Sequence, residues 1–190
     1  MMRSNSGSLC DRTRLSVLVG LALVNVCAAA PFREYPIGDE IKTNQLKVAA
    51  VYLPPVTMDS PGHDHADMEK FSEPGREKIH LEADIHASEG NVNGFAAGDW
   101  VPYLTIKFKL KHVESGKTIE SALAPMVAKD GPHYGATVRM MGAGKYTLLY
   151  RIETPVASAF GRHTDEFTGV APWWKPFEVR WDFEYKGLPK

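Results

Sequence analysis

His80-Leu81-Glu82-Ala83-Asp84-Ile85-His86 alternates polar and apolar side chains without a break. Extended backbone sends successive side chains to opposite faces, so this stretch reads as a half-buried strand. Ile79, Leu81, Ala83 and Ile85 take the inner face. His80, Glu82, Asp84 and His86 take the other, a row made entirely of metal-ligand side chains. An ordinary solvated row would carry Lys, Thr, Ser or Gln. A strand rises about 3.3 Å per residue, so His80 and His86 stand roughly 20 Å apart. No single ion spans that distance, but an i, i+2 pair such as His80 and Glu82 can close on one ion with ligands from other strands.

Outward from this stretch, the same period recurs. Tyr103 to Lys111 alternates Leu104, Ile106, Phe108 and Leu110 against Thr105, Lys107, Lys109 and Lys111. Phe177 to Tyr185 sends Phe177, Val179, Trp181, Phe183 and Tyr185 one way. Gln45 to Leu53, Thr118 to Ala128, Tyr134 to Met140 and Lys145 to Ile152 also read as strands, separated by Gly- and Pro-containing turns. With Lys78 to Ala87 this makes about seven strands and no sustained 3.6 period. The expectation is an all-β, single-domain, immunoglobulin-like β-sandwich. Val56 to Glu77 and Thr154 to Pro176 are left as long loops, which on a rigid scaffold tend to carry function.

The first 29 residues read as a signal peptide. Arg12 and Arg14 precede the apolar run Leu15 to Ala22, and Ala28-Ala29-Ala30 supplies the small residues of a cleavage site. The run is too short for a membrane-spanning helix, so no membrane span is expected. Cys27 raises the question of a lipoprotein, but Val24-Asn25-Val26 lacks the small residue wanted before such a cysteine. Both cysteines, Cys10 and Cys27, fall within the removed segment, so disulfides, thiolate metal sites and cysteine catalysis are excluded from the domain at 30–190. The segment takes three of the 22 basic residues (Arg3, Arg12, Arg14) and one of the 23 acidic ones (Asp11), moving the net charge from -1 to -3. Mild acidity argues against a nucleic-acid partner, which calls for a basic face.

All seven histidines lie beyond the signal peptide. His133 sits in Asp130-Gly131-Pro132-His133-Tyr134-Gly135, where Pro and Gly stiffen the backbone around it. Met126, in Ala124-Pro125-Met126-Val127, is by composition alone a core side chain. His163 lies in Gly161-Arg162-His163-Thr164-Asp165. His112 ends a Lys-rich strand and reads as solvated, and Trp173-Trp174 reads as packing. His63-Asp64-His65, flanked by Met58 and Met68, has the look of a flexible metal-scavenging loop.

Taken in order, HLEADIHA (80–87), NGFAAGDWVPYLTI (93–106), APMVAKDGPHYGA (124–136), GRHTDEFTGV (161–170) and WWKPFEV (173–179) resemble the periplasmic iron-transport protein family, encoded beside Ftr-type inner-membrane iron permeases. The likeness runs from about Tyr35 to Gly187. It implies a periplasmic, immunoglobulin-like homodimer that binds copper near the subunit interface, with an iron or manganese site alongside. By motif, the implied metal ligands are His80, Glu82, Met126, His133 and His163, with Met58, Asp84 and His86 as secondary candidates. The Val56 to Glu77 segment departs from the family pattern in offering His63-Asp64-His65.

The chemistry of that set agrees with the resemblance. Three imidazoles and a thioether suit copper in either oxidation state, whereas zinc gains little from a thioether. Glu82 adds a hard oxygen suited to iron or manganese. Competing readings are a copper-dependent iron oxidoreductase and a general copper or zinc carrier. An adhesive module with incidental histidines is a further possibility. A superoxide-dismutase-like enzyme is disfavoured by the absence of a zinc loop with a bridging histidine.

Overall fold

The structure, a computed structural model, describes residues 33–59 and 76–189. The expected signal peptide with Cys10 and Cys27, and the loop residues His63, Asp64, His65 and Met68, lie outside the described residues. Among the described residues nine strands follow in chain order: β1 Tyr35–Pro36, β2 Ile41–Thr43, β3 Leu46–Leu53, β4 Lys78–Ala87, β5 Ile106–His112, β6 Thr118–Ala128, β7 Gly131–Arg139, β8 Gly144–Ile152 and β9 Phe177–Tyr185. The seven expected strands are all present. β1 and β2 are additional, each too short to show a period. Among the described residues, the only helical segment is one 3-10 turn, Pro155–Ser158, and no helix is long and apolar enough to cross a membrane.

All pairings are antiparallel, and the path of neighbours runs β1-β3-β4-β7-β6-β5-β8-β9 with β2 beside β3. β6 makes two layers of this path. Its first half, Thr118 to Leu123, pairs with β5, and its second half, Ala124 to Ala128, pairs with β7. One layer is therefore β3-β4-β7-β6 and the other β6-β5-β8-β9, the A-B-E-D and C-F-G orders of an immunoglobulin sandwich.

The core lies between the layers. β4 contributes Ile79, Leu81, Ala83 and Ile85, and β8 contributes Tyr146, Leu148, Tyr150 and Ile152, all at most 1% exposed. Each such large side chain, fully buried, is worth about 1.5–3 kcal/mol of transfer free energy. Two tyrosines of this core end in hydrogen bonds, one to the connection between β4 and β5 and one to β4 itself. The Tyr134 hydroxyl donates to Val101 O at 2.8 Å and accepts from Leu104 N at 3.0 Å, and the Tyr150 hydroxyl donates to Glu82 O at 2.9 Å.

Three expectations need correction. β4 is not half-buried along its length, because His80 and Glu82 on its outer face are 1% and 6% exposed. His133 lies within β7, so the Pro- and Gly-flanked block is strand from Gly131 onward rather than turn. His112 is buried, 8% exposed, with Nδ1 2.8 Å from Ser115 Oγ and Nε2 3.3 Å from Glu114 Oε2. It fastens the turn after β5 instead of meeting solvent.

Candidate metal centre

The register of β4, β7 and β6 brings together residues far apart in sequence. Glu82 lies opposite Gly135, and His80 opposite Thr137. Across the other edge of β7, Met126 lies opposite His133. Side chains directly opposite in an antiparallel pair share a face, as do those two apart on one strand. His80 and Glu82 of β4, His133 and Gly135 of β7, and Met126 of β6 therefore share the outer face of one layer.

There they converge. Glu82 Oε1 lies 3.4 Å from His80 Nε2 and 3.2 Å from His133 Nε2. The two imidazole rings stand 6.0 Å apart, nearly perpendicular at 79°. One ligand atom from each of His80, Glu82 and His133 falls within 4.8 Å of the others, the only such group of three among the described residues. Gly135 forms the floor. A Cβ there would stand 2.5 Å from His80 Nε2 and 3.1 Å from Met126 Sδ, so imidazole and thioether meet above a position that has room only for hydrogen.

Burial governs the electrostatics of this group. His80 is buried with both ring nitrogens lacking a hydrogen-bond partner. An unpartnered buried polar atom costs about 1–3 kcal/mol, which calls for a compensating role. Burial, and after it the neighbouring His133, pushes the His80 pKa down to about 4. Burial, followed by the carboxylates of Asp84, Glu34 and Asp130, pushes Glu82 up to about 8. Near pH 7 the group therefore holds two neutral side chains: an imidazole with one free lone pair and a carboxyl carrying its proton. A divalent ion reverses the cost, because it supplies the opposite charge that burial denies.

A second acidic element flanks this group. Asp84 and Glu34 are also raised, each chiefly by burial, and Glu34 next by a side-chain hydrogen bond with Asp130. Glu34 and Asp130 were not among the residues expected from sequence. Asp130 carries a signal in its position three residues before His133, whereas nothing in the local pattern around Glu34 points to the site.

The other expected ligands lie elsewhere. His163 is exposed in the loop before β9, with Nδ1 2.7 Å from Thr168 Oγ1, outside the His80–Glu82–His133 group. Asp84 and His86 continue the outer row of β4 and are half-buried, His86 beside Trp100 through a single β-bridge. Met58 is half-buried in the segment after β3. Trp174 packs against the core and Trp173 lies tilted on Phe160 and Phe95 at 6.1 and 6.3 Å, in agreement with a packing role.

Comparison with known proteins places this geometry. A UPF0423 protein of Brucella abortus is 41% identical over 179 residues, 92% of this chain and 93% of the relative. The 34 kDa membrane antigen of Treponema pallidum is 41% identical over 167 residues, 84% of this chain and 78% of the antigen. Among solved structures, FetP of uropathogenic E. coli is 48% identical with a TM-score of 0.74, over 83% of this chain and 99% of FetP. The copper-reconstituted P19 protein of Campylobacter jejuni is 46% identical with a TM-score of 0.75, over 83% of this chain and 99% of P19. The family described as Fe2+ transport protein matches residues 31–187, essentially the whole sandwich and every residue of the centre, and the chain belongs to that family.

Proposed function

We propose that this is a periplasmic protein of a high-affinity iron uptake system that binds copper at the His80–Glu82–His133 group and hands iron to an inner-membrane Ftr-type permease. The observation that carries the reading is His80: a buried imidazole, both nitrogens unpartnered, facing a carboxyl, a second imidazole and a thioether. That donor set fits copper, with Met126 favouring the cuprous state and the imidazoles serving both. When bound, copper supplies one-electron redox chemistry. A substituted variant of FetP has been observed copper-bound and P19 copper-reconstituted, which supports the same metal here.

His163 is the remaining imidazole of the set. It is exposed, and its Nδ1 is engaged by Thr168, leaving Nε2 for an external partner. We assign it to the centre of a second copy in a homodimer. Glu34, Asp84 and Asp130, hard oxygen donors beside Glu82, suit iron or manganese as the second metal. Export through a signal peptide at 1–29 agrees with the production of FetP in the periplasm.

The deciding experiment is metal analysis of untagged protein isolated from periplasm, combined with light scattering. Copper at one per chain on a dimer is expected. Zinc alone would favour a general carrier. Turnover of ferrous ion by the copper-loaded protein would favour a copper-dependent iron oxidoreductase.

A further inference from the structure

One side chain fastens the connection between β4 and β5 to the loop before β9. Asn93 is 7% exposed, and its Nδ2 donates to Ala171 O at 3.0 Å and to Pro172 O at 3.1 Å. Ala171 N donates in return to Val92 O at 3.0 Å. Two carbonyl oxygens side by side call for a group with two donors, which a carboxamide has and a carboxylate lacks. The segment held in this way continues into the His163 turn. Val170 N donates to His163 O at 3.1 Å, and Arg162 Nη1 donates to Val170 O at 3.0 Å.

The Asn93 side of the fastening is itself braced. Asn91 Oδ1 accepts from Asn93 N at 2.9 Å, and Gln45 Oε1 accepts from Val92 N at 2.9 Å. Gly94 follows in a left-handed backbone (φ 90°), and a Cβ there would stand 3.1 Å from Val170 Cγ1. Both the backbone and the close approach of Val170 therefore ask for glycine. That requirement has a chemical consequence. In an Asn-Gly pair no Cβ shields the second residue's backbone nitrogen from the first residue's side-chain carbonyl carbon, and asparagine is a chemically labile residue. Asn93-Gly94 is the only Asn-Gly pair in the chain.

We propose that Asn93 is a deamidation site guarded by its own hydrogen bonds, a latch on the His163 turn that one spontaneous reaction opens for good. Gly94 N attacks Asn93 Cγ, and the new C–N bond closes a succinimide ring. The Cγ–Nδ2 bond breaks, and ammonia leaves with the proton from Gly94 N. Water then opens the ring to aspartate or isoaspartate, with no oxidant or reductant involved. In the closed state Nδ2 is tied to Ala171 and Pro172, which keeps the carboxamide from turning toward Gly94 N. The reaction waits for local opening of this segment. The product cannot close it again, because its carboxylate has no donor and would be buried against two carbonyl oxygens.

The site is tested by peptide mapping after incubation in mildly alkaline buffer, with the protein native or unfolded in urea. Conversion should occur at Asn93 before Asn44 or Asn91, which are followed by Gln45 and Val92. The native rate should be at least about 100-fold below the unfolded rate, since only locally opened molecules react. A native rate within about threefold of the unfolded one overturns the guard. An unfolded chain in which Asn93 converts no faster than Asn44 and Asn91 overturns the site.

The latch is read by amide hydrogen exchange. Asn93→Asp should speed exchange of the Ala171 amide at least about 10-fold, the equivalent of one lost hydrogen bond, while Leu148 in the core stays within about threefold. Wild-type protein aged until Asn93 has converted gives the same reading on a chain that folded before the change, so a variant that fails to fold leaves the test intact. An Ala171 amide as protected after conversion as before it overturns the latch.

Discussion

Replacing Gly135 with alanine puts a methyl group where the ligands meet. The new carbon would stand 2.5 Å from His80 Nε2, 2.9 Å from His80 Cε1 and 3.1 Å from Met126 Sδ. Non-bonded carbon contacts are optimal near 3.5–4.0 Å, so the imidazole must retreat by about 1 Å or more. His80 is 1% exposed and has little room to do so. Overpacking of this kind costs about 1–3 kcal/mol. Gly135 does not occupy a left-handed backbone, so alanine recovers about 0.4–1 kcal/mol by restricting the unfolded chain. The net is a loss of about 1.3 kcal/mol, or a melting temperature lower by about 3–5 °C in a chain of this size. Copper binding should suffer far more if the displaced nitrogen is the ligand proposed above. We expect at least a 100-fold loss of affinity, equivalent to about 2.7 kcal/mol of copper-dependent stabilisation. Chelator competition for Cu(I), run beside thermal melts with and without copper, reads both quantities. A Gly135→Ala protein that melts lower but binds copper within threefold of wild type would refute the assignment of this cradle as the metal centre.

Metal uptake should release protons from the carboxyl and not from the imidazole: Glu82 titrates near 8 and His80 near 4, so at pH 7 binding should expel close to one proton, and Glu82→Gln should abolish the release seen by calorimetry in buffers of different ionisation heat. In the metal-free protein the two groups act with opposite sign. Glu82, raised from 4.5 to about 8, contributes stability that is complete below pH 4.5 and lost as pH rises through 8. His80, lowered from 6.5 to about 4, contributes stability that is present above pH 6.5 and lost as pH falls through 4. The urea midpoint should therefore decline between about pH 6.5 and 8.5, and Glu82→Gln should flatten that decline; an unchanged slope would refute the Glu82 shift. Met126→Leu preserves volume and apolarity, so stability should change by less than about 1.5 kcal/mol, while Cu(I) affinity and the copper reduction potential fall and zinc or manganese binding holds. A sharply lower melting temperature with Cu(I) affinity intact would make Met126 a packing residue only.

The sandwich was legible in the sequence because strand periodicity is local. The alternation in β4, β5 and β9 is set by side-chain chemistry within a few residues, and β4, β6 and β9 have the bounds expected for them. β1 and β2 escaped notice because two or three residues carry no period, and they exist only by pairing with β3. The residue types of the candidate centre were legible too, as histidines, a glutamate and a methionine in unusual rows. Their convergence was not, because it depends on strand register. Only the pairing of β4 with β7 sets Glu82 over Gly135, and only the switch of β6 from one layer to the other sets Met126 beside His133. Burial is likewise a tertiary property: His80 stands on the outer face of its strand, yet the fold closes around it and withholds every hydrogen-bond partner. The same holds for Glu34 and Asp130, whose influence on Glu82 acts through space between carboxylates distant in sequence. Composition and period decide which face a side chain takes; register, packing and the absence of one Cβ decide what it meets there.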